Sequence, residues 1–463
     1  MTAINRSRPF KAVLVSTYEL GRQPFGLASP AAWLRRAGID VVQADVSIED
    51  FPDEDVRDAD LVAFYVPMHT ATRLAVPLVA RSRKLNTNTH LCFYGLYASV
   101  NESFLRSLGA QTILGGEFEN GLLQLCNRLR GAPGTIGDQE EPVVSLARQR
   151  FLPPDRTGLP DLPSYARLST SDGHLKTVGY TEASRGCKHL CRHCPVVPVY
   201  GGRFRIVQPE IVLDDIERQV AAGAGHITFG DPDFFNGIGH ALPLVEELHG
   251  RFPDLTYDIT VKIEHLLKYR RNLPRIRDTG CALVTTAVES LDSRVLALLD
   301  KGHTVDDFLE VVDLFNKHGL VMNPTFIPFT PWITLEGYAR FLDTLADLDL
   351  IEHVSPVQLT IRLLIPGGSE LLNLAEVRDL VGPFAPAALS YPWAHADARL
   401  DRLQHELSRL VTRLQNRDAA RGEIFRRIRS HVYGLVERPV PDADFDATSA
   451  RLSLPRLTEP WYC

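Results

Sequence analysis

Ser184-Arg-Gly-Cys-Lys-His-Leu-Cys-Arg-His-Cys-Pro195 brings Cys187, Cys191 and Cys194 within eight residues, spaced by three and then two intervening positions. Thiolates this close converge on one inorganic centre. No fourth cysteine lies nearby, since Cys92, Cys126, Cys281 and Cys463 are scattered. A cube of four irons held by this loop would keep one corner free, and an open coordination position is what a catalytic metal site needs. Zinc, taking the three thiolates with His189 or His193, is the competing reading of the same spacing. A disulfide fits less well, because the cysteine count is odd and nothing at the N-terminus looks like a secretory signal. The cysteine usage points to a reducing, cytoplasmic compartment.

A Cys-x3-Cys-x2-Cys loop just after a strand resembles the cluster loop of the radical S-adenosylmethionine (SAM) superfamily. The resemblance implies a 4Fe–4S cluster on Cys187, Cys191 and Cys194. Its free iron would chelate SAM, which one electron cleaves to methionine and a 5′-deoxyadenosyl radical. It also implies an electron donor such as a flavodoxin or ferredoxin, and a small-molecule or peptide substrate. The family commonly has an aromatic residue before the third cysteine, touching adenine; here that residue is His193.

The other expected cofactor contacts follow later strands. Phe-Gly-Asp-Pro-Asp-Phe-Phe (229–235) stands where the family uses a Gly-Gly-Glu-like turn, so Gly230, Asp231 and Asp233 are expected at the methionine ammonium, a charge-assisted contact. Ala-Val-Glu-Ser-Leu-Asp (287–292) resembles a Glu-Ser element that contacts the cofactor, making Glu289 and Ser290 candidates. An Asp-Pro turn and a helix N-cap are the structural alternatives for these two stretches. Asn-Pro-Thr-Phe-Ile-Pro-Phe-Thr-Pro-Trp (323–332) reads as a rigid apolar wall on the substrate side.

The 463 residues carry a formal charge of −7, with 44% hydrophobic content and mixed signs. That excludes a broad basic footprint for nucleic acid, and no apolar run approaches the ~20 residues of a membrane span. The basic stretch 413–429 reads as a solvated helix face.

Residues 1–131 alternate apolar runs at 11–16, 40–46, 60–66, 90–96 and 111–116 with helical patterns, the signature of a buried parallel sheet. A doubly wound Rossmann-like domain is expected, with its crevice at Ser16, Thr17, Tyr18, His69, Thr70, Tyr97 and Glu117. Placed before a radical SAM core, it resembles the cobalamin-binding module of one branch of the superfamily. Ser-Thr-Tyr-Glu-Leu-Gly (16–21) lacks the histidine of the Asp-x-His-x-x-Gly motif, so cobalt ligation through that motif is excluded. Two readings stand open: cobalamin bound without a protein histidine, approached by Gly115-Gly116, or a degenerate scaffold.

Proline-rich residues 132–175 form a linker. From 176 to 370, six β-then-α units are expected, with strands near 177–183, 226–230, 256–261, 282–288, 320–327 and 357–363. They make a partial (β/α)6 barrel with its chemistry at the strand carboxyl ends. Residues 371–463 hold one long amphipathic helix near 398–434, covering the barrel, and an extended tail. The overall expectation is thus α/β: Rossmann-like domain, partial radical SAM barrel, helical C-terminal cover.

In order and in its ending the chain resembles the radical SAM proteins named for a CUAEP or CCAEP tail. Their tail continues Cys-Sec-Ala-Glu-Pro or Cys-Cys-Ala-Glu-Pro where this chain stops at Glu459-Pro-Trp-Tyr-Cys463. The resemblance implies truncation before a selenocysteine codon and a catalytic role for Cys463 in a thiol/selenol pair. A lone terminal cysteine is the alternative. Besides radical chemistry on an unidentified substrate, three activities stay open: cobalamin-dependent methyl transfer, 3-amino-3-carboxypropyl transfer, and a non-enzymatic metal-binding or maturation role.

Overall fold

A computed structural model describes residues 8–132, 140–439 and 454–459; Cys463 lies outside the described residues. The first sheet is wholly parallel, in the order β2-β1-β3-β4-β5-β6. Its strands are β1 (Lys11–Ser16), β2 (Asp40–Asp45), β3 (Leu61–Tyr65), β4 (His90–Tyr94), β5 (Thr112–Gly116) and β6 (Val144–Ser145). Both faces are buried, which is why the strands read as unbroken apolar runs. Ala12 and Leu14 pack on one side and Val13 and Val15 on the other. The order reverses between β2 and β3 around β1, the doubly wound pattern.

The second sheet runs β14-β13-β12-β11-β8-β7-β15. β8 (Leu175–Thr181), β11 (His226–Phe229), β12 (Thr256–Thr260), β13 (Cys281–Glu289) and β14 (Met322–Phe326) are parallel and curl into a half-barrel. β7 (Arg167–Ser169) and β15 (Arg456–Leu457) extend its edge antiparallel. A separate ribbon pairs β9 (Ser184–Gly186) with β10 (Phe204–Ile206). Alternation along the barrel strands separates two environments. Ile227, Phe229, Tyr257 and Ile259 join the core beneath the helices, while Thr228, Asp258, Thr260, Thr285, Asn323 and Thr325 face the lumen.

Two elements differ from the sequence reading. The strand expected near 357–363 is a 3-10 turn (Pro356–Leu359) followed by a single parallel bridge from Phe329 to Arg362. Pro356 has no N–H for a ladder, and the turn consumes the residues that would extend one. The long helix near 398–434 is two helices, Ala398–Gln415 and Arg421–Leu435. Asp418, at φ 54°, breaks the run in a left-handed conformation that no helix continues. Among the described residues no helix is long and apolar enough to cross a membrane.

The helix Phe25–Arg36 packs against the first sheet through Gly26, whose α-carbon lies beneath the Tyr65 ring. A β-carbon there would stand 2.1 Å from Tyr65 Cζ. Gly26→Ala is expected to destabilise the fold by about 1–3 kcal/mol through overpacking. Denaturant unfolding measures this, and an unchanged midpoint would show that Tyr65 swings aside.

Candidate active site

The cysteine loop leaves β9 through Gly186, at φ +76°, where a β-carbon would strike Tyr200 Cδ1 at 2.4 Å and the Arg203 carbonyl at 2.5 Å. Only glycine turns the chain here. Cys191 is buried, and Cys187 and Cys194 are partly so. At the far end of the loop, Arg192 is locked on three sides. Its backbone N–H donates to the Leu299 carbonyl, its guanidinium to the Ala297 and Leu298 carbonyls, and its own carbonyl accepts from Ser369 Oγ and the Leu371 N–H. The guanidinium thereby caps the C-terminus of the helix Ser293–Leu299.

The turn after β11 clamps the front of the same loop. Asp231 accepts from the Ala183 N–H (2.9 Å) and Ser184 Oγ (2.5 Å). Burial outweighs these bonds and pushes its carboxyl up to about 7. Asp233 Oδ1 caps the Phe235 N–H, while its Oδ2 lies 3.2 Å from His189 Nε2 and 2.7 Å from His265 Nδ1. Burial would raise this carboxyl, but the two imidazoles hold it below the usual range. Asn236 accepts from the Lys188 N–H at 3.1 Å and reaches the Gly186 carbonyl with its amide. One short turn therefore holds the loop at residues 183–184, 186, 188 and 189.

Glu289 closes the site from β13. It is buried at φ 69° and pairs with Lys301 Nζ (3.3 Å) and His193 Nε2 (3.2 Å). Burial alone would raise its carboxyl, but Lys301 and then His193 bring it down to about 2. Ser290 Oγ accepts from the Asp292 N–H, and Asp292, not Ser290, caps the following helix. His303 is buried beside Lys301 and Lys262, both of its ring nitrogens lacking hydrogen-bond partners among the described residues; burial lowers it to about 4.

The spacing of these groups bears on the metal. Among the described residues, the grouping of ligand atoms tight enough for a single ion, all within 4.8 Å, is Cys187, His189 and Asp233. The three cysteines do not form such a set, although Cys194 feels the charge of both others. Sulfurs set beyond single-ion range of one another do not make a three-thiolate zinc site as they stand. Burial pushes the Cys194 thiol up to about 12, so a bound metal is what would make it a thiolate.

Behind the loop lies the barrel lumen, a polar cavity of about 640 Å³. Gly230 and Asp231 line its upper edge. A second, smaller cavity of about 180 Å³ lies between the barrel and the carboxyl ends of the first sheet. Arg185 fills the space beside it. This guanidinium reaches Glu119 (2.6 Å) and Glu182 (2.5 Å), lies 3.5 Å from Glu117, and stacks 5.0 Å from the rings of both Phe118 and Phe151. Gly115 and Gly116 are covered by Ser99 and Ser145. His69 Nε2 donates to the Ala388 carbonyl of the C-terminal region, 2.7 Å away. Arg185, Asn236 and Lys301 were not legible as site residues. Arg185 sits two positions before Cys187, the one local hint available.

Residues 181–344 match the Radical SAM superfamily. The chain is similar to the hopanoid C-3 methylase of Methylococcus capsulatus, at 26% identity over 67% of this chain and 62% of that protein. It is also similar to the tRNA-2-methylthio-N(6)-dimethylallyladenosine synthase of Chlorobium phaeovibrioides, at 28% identity over 41% of each. The matches thus span less than two thirds of those proteins. In fold it is similar to the cobalamin-dependent SAM radical enzyme OxsB solved with aqua-cobalamin and SAM, with a TM-score of 0.65 at 13% identity over 93% of this chain and 71% of that one. The methyltransferase TsrM from Kitasatospora setae aligns with a TM-score of 0.61 at 17% identity over 82% of both chains.

Asp233→Asn and Asn236→Ala are expected to lower iron retained after anaerobic reconstitution and gel filtration, because each frees one end of the loop. Retention equal to the unsubstituted protein in both would show that the loop is shaped by the cysteines alone.

Proposed function

Residues 181–344 match the Radical SAM superfamily, and we propose that this chain is a radical SAM enzyme in which Cys187, Cys191 and Cys194 hold a 4Fe–4S cluster and SAM binds beside it at the mouth of the barrel lumen. The observation that carries this reading is the cysteine loop, held by Asp231, Asp233 and Asn236 at the strand end where Gly230 and Asp231 edge a polar cavity, with the Lys301 charge near Cys191 and Cys194. When bound, the reduced cluster supplies the electron that cleaves SAM to a 5′-deoxyadenosyl radical.

The chain's own residues would do the rest. Gly230 and Asp231 edge the cavity where the methionine end of SAM would lie. Both Asp231 oxygens serve the loop, so the strand-end backbone is the better partner for the ammonium. Asp233, engaged by His189 and His265, is a positioning residue. His193, oriented by its pairing with Glu289, would face the adenine, with Ser290 the residue after Glu289 in the chain. The lumen, at about 640 Å³, has room for a small molecule or a peptide segment. With a net charge of −7, such a substrate is favoured over tRNA, which the Chlorobium relative's name records for that protein. A flavodoxin or ferredoxin is the proposed electron source.

The corrin named for OxsB and TsrM does not fit the residues at the domain junction. The cavity of about 180 Å³ is smaller than the roughly 300–1,000 Å³ of pockets for drug-sized ligands, which a corrin exceeds. Arg185 and its three carboxylates fill the crevice beside it. No step is assigned to a corrin.

Reconstituted protein is expected to bind about four irons and four sulfides and, with SAM and dithionite, to release 5′-deoxyadenosine. Cys191→Ala should lose both. Stoichiometric zinc would overturn the cluster, and methylthioadenosine as the product would move the reaction to 3-amino-3-carboxypropyl transfer.

Protein incubated with hydroxocobalamin and desalted should show no stoichiometric corrin absorption. Retention of one corrin per chain would restore the methyltransferase reading.

A further inference from the structure

The barrel cavity has a wall that the barrel does not supply. Arg22, on the loop after β1 of the first sheet, reaches across the junction and lies with its guanidinium 5.3 Å from the Tyr180 ring centroid. There it forms an ion pair with Glu459, and both residues line the 640 Å³ lumen. Arg22 Nε has no hydrogen-bond partner among the described residues, so the fork keeps a donor in reserve. A guanidinium set in this way is shaped to take a carboxylate through two bonds.

Glu459 is a largely buried carboxylate carried on a short edge segment of the barrel sheet. It lies on a strap whose described residues are 454–459, tied to the barrel by two β15–β7 pairs and by Thr458, which exchanges hydrogen bonds with Arg167. The five parallel barrel strands pair with one another without it. Burial raises the Glu459 carboxyl more than Arg22 lowers it, and Asp258 on the lumen wall adds to the rise.

We propose that Glu459 is the internal occupant of a carboxylate subsite whose cation is Arg22, so that the substrate bears a carboxylate and enters the lumen by displacing the 454–459 strap. This rests on the lumen being the reaction chamber. The first domain then has a task in the barrel: to present Arg22.

Glutarate, with glutaramide as its uncharged counterpart, tests the subsite by calorimetric titration of the full chain without SAM or cluster turnover. Glu459→Gln should bind glutarate about tenfold more tightly than the unsubstituted protein, the equivalent of one charge-assisted hydrogen bond regained. The double variant R22Q/E459Q, which leaves neither charge unpaired, should lose binding, and glutaramide should bind none of the three. In the unsubstituted protein, glutarate should also speed hydrogen exchange in residues 454–459. Equal affinity with and without Glu459, binding that survives loss of Arg22, or unaltered exchange in the strap would each overturn the subsite. Absence of 5′-deoxyadenosine from the reconstituted enzyme would instead overturn the radical SAM reading, and the glutarate titration is independent of that result.

Discussion

The structure turns on one buried guanidinium. Arg185 stands two residues before the first cysteine of the loop, yet its partners Glu117 and Glu119 come from the carboxyl end of β5 and the helix that follows it, and Glu182 from the barrel. A charge taken out of water is tolerated only when it is paired and hydrogen-bonded on every side, and removing one partner from such a network costs about 3–5 kcal/mol. Arg185 thus couples the cysteine loop to the first domain. Glu119 is held below the usual carboxylate range by this pairing against burial, whereas Glu117, with the longer contact, is pushed up to about 7.

That coupling alters what the first domain does. Doubly wound sheets bind ligands in the crevice at their strand carboxyl ends; here that crevice narrows to a cavity of about 180 Å³ lined by Arg185, by the Tyr65 and Phe118 rings and by the loop after β1. The loop that would present a cobalt-ligating histidine carries Arg22 into the barrel instead. The lumen beside the sheet is open, because the inward faces of its strands are Thr, Asp and Asn instead of the branched aliphatics of a filled barrel.

Much of this architecture could be read in advance. Strands β1 to β5 and the five barrel strands lie where continuous or alternating apolar runs place them, because burial on one or two faces writes a period of one or two into the chain. The cysteine loop was legible because its three cysteines are near neighbours in the chain. The sixth barrel strand was misread because Val357 to Leu363 has the composition of a strand, while Pro356 and a 3-10 turn decide its conformation. The 398–434 helix was overextended because amphipathic periodicity persists across Asp418 although the backbone does not.

Cysteine spacing, strand periodicity and the missing histidine after β1 were determined by the sequence alone, since each concerns residues close along the chain and the chemistry of single side chains. The tasks of Asp231, Asp233 and Asn236 were decided by tertiary structure. The same carboxylates could face a cofactor ammonium or the backbone of a loop some 47 residues away, and only the packing of β11 against that loop chooses. The pairing of Arg22 with Glu459 spans 437 residues. No local pattern encodes such a contact, because a buried charge finds its partner through the fold that brings the two together and not through its neighbours in sequence.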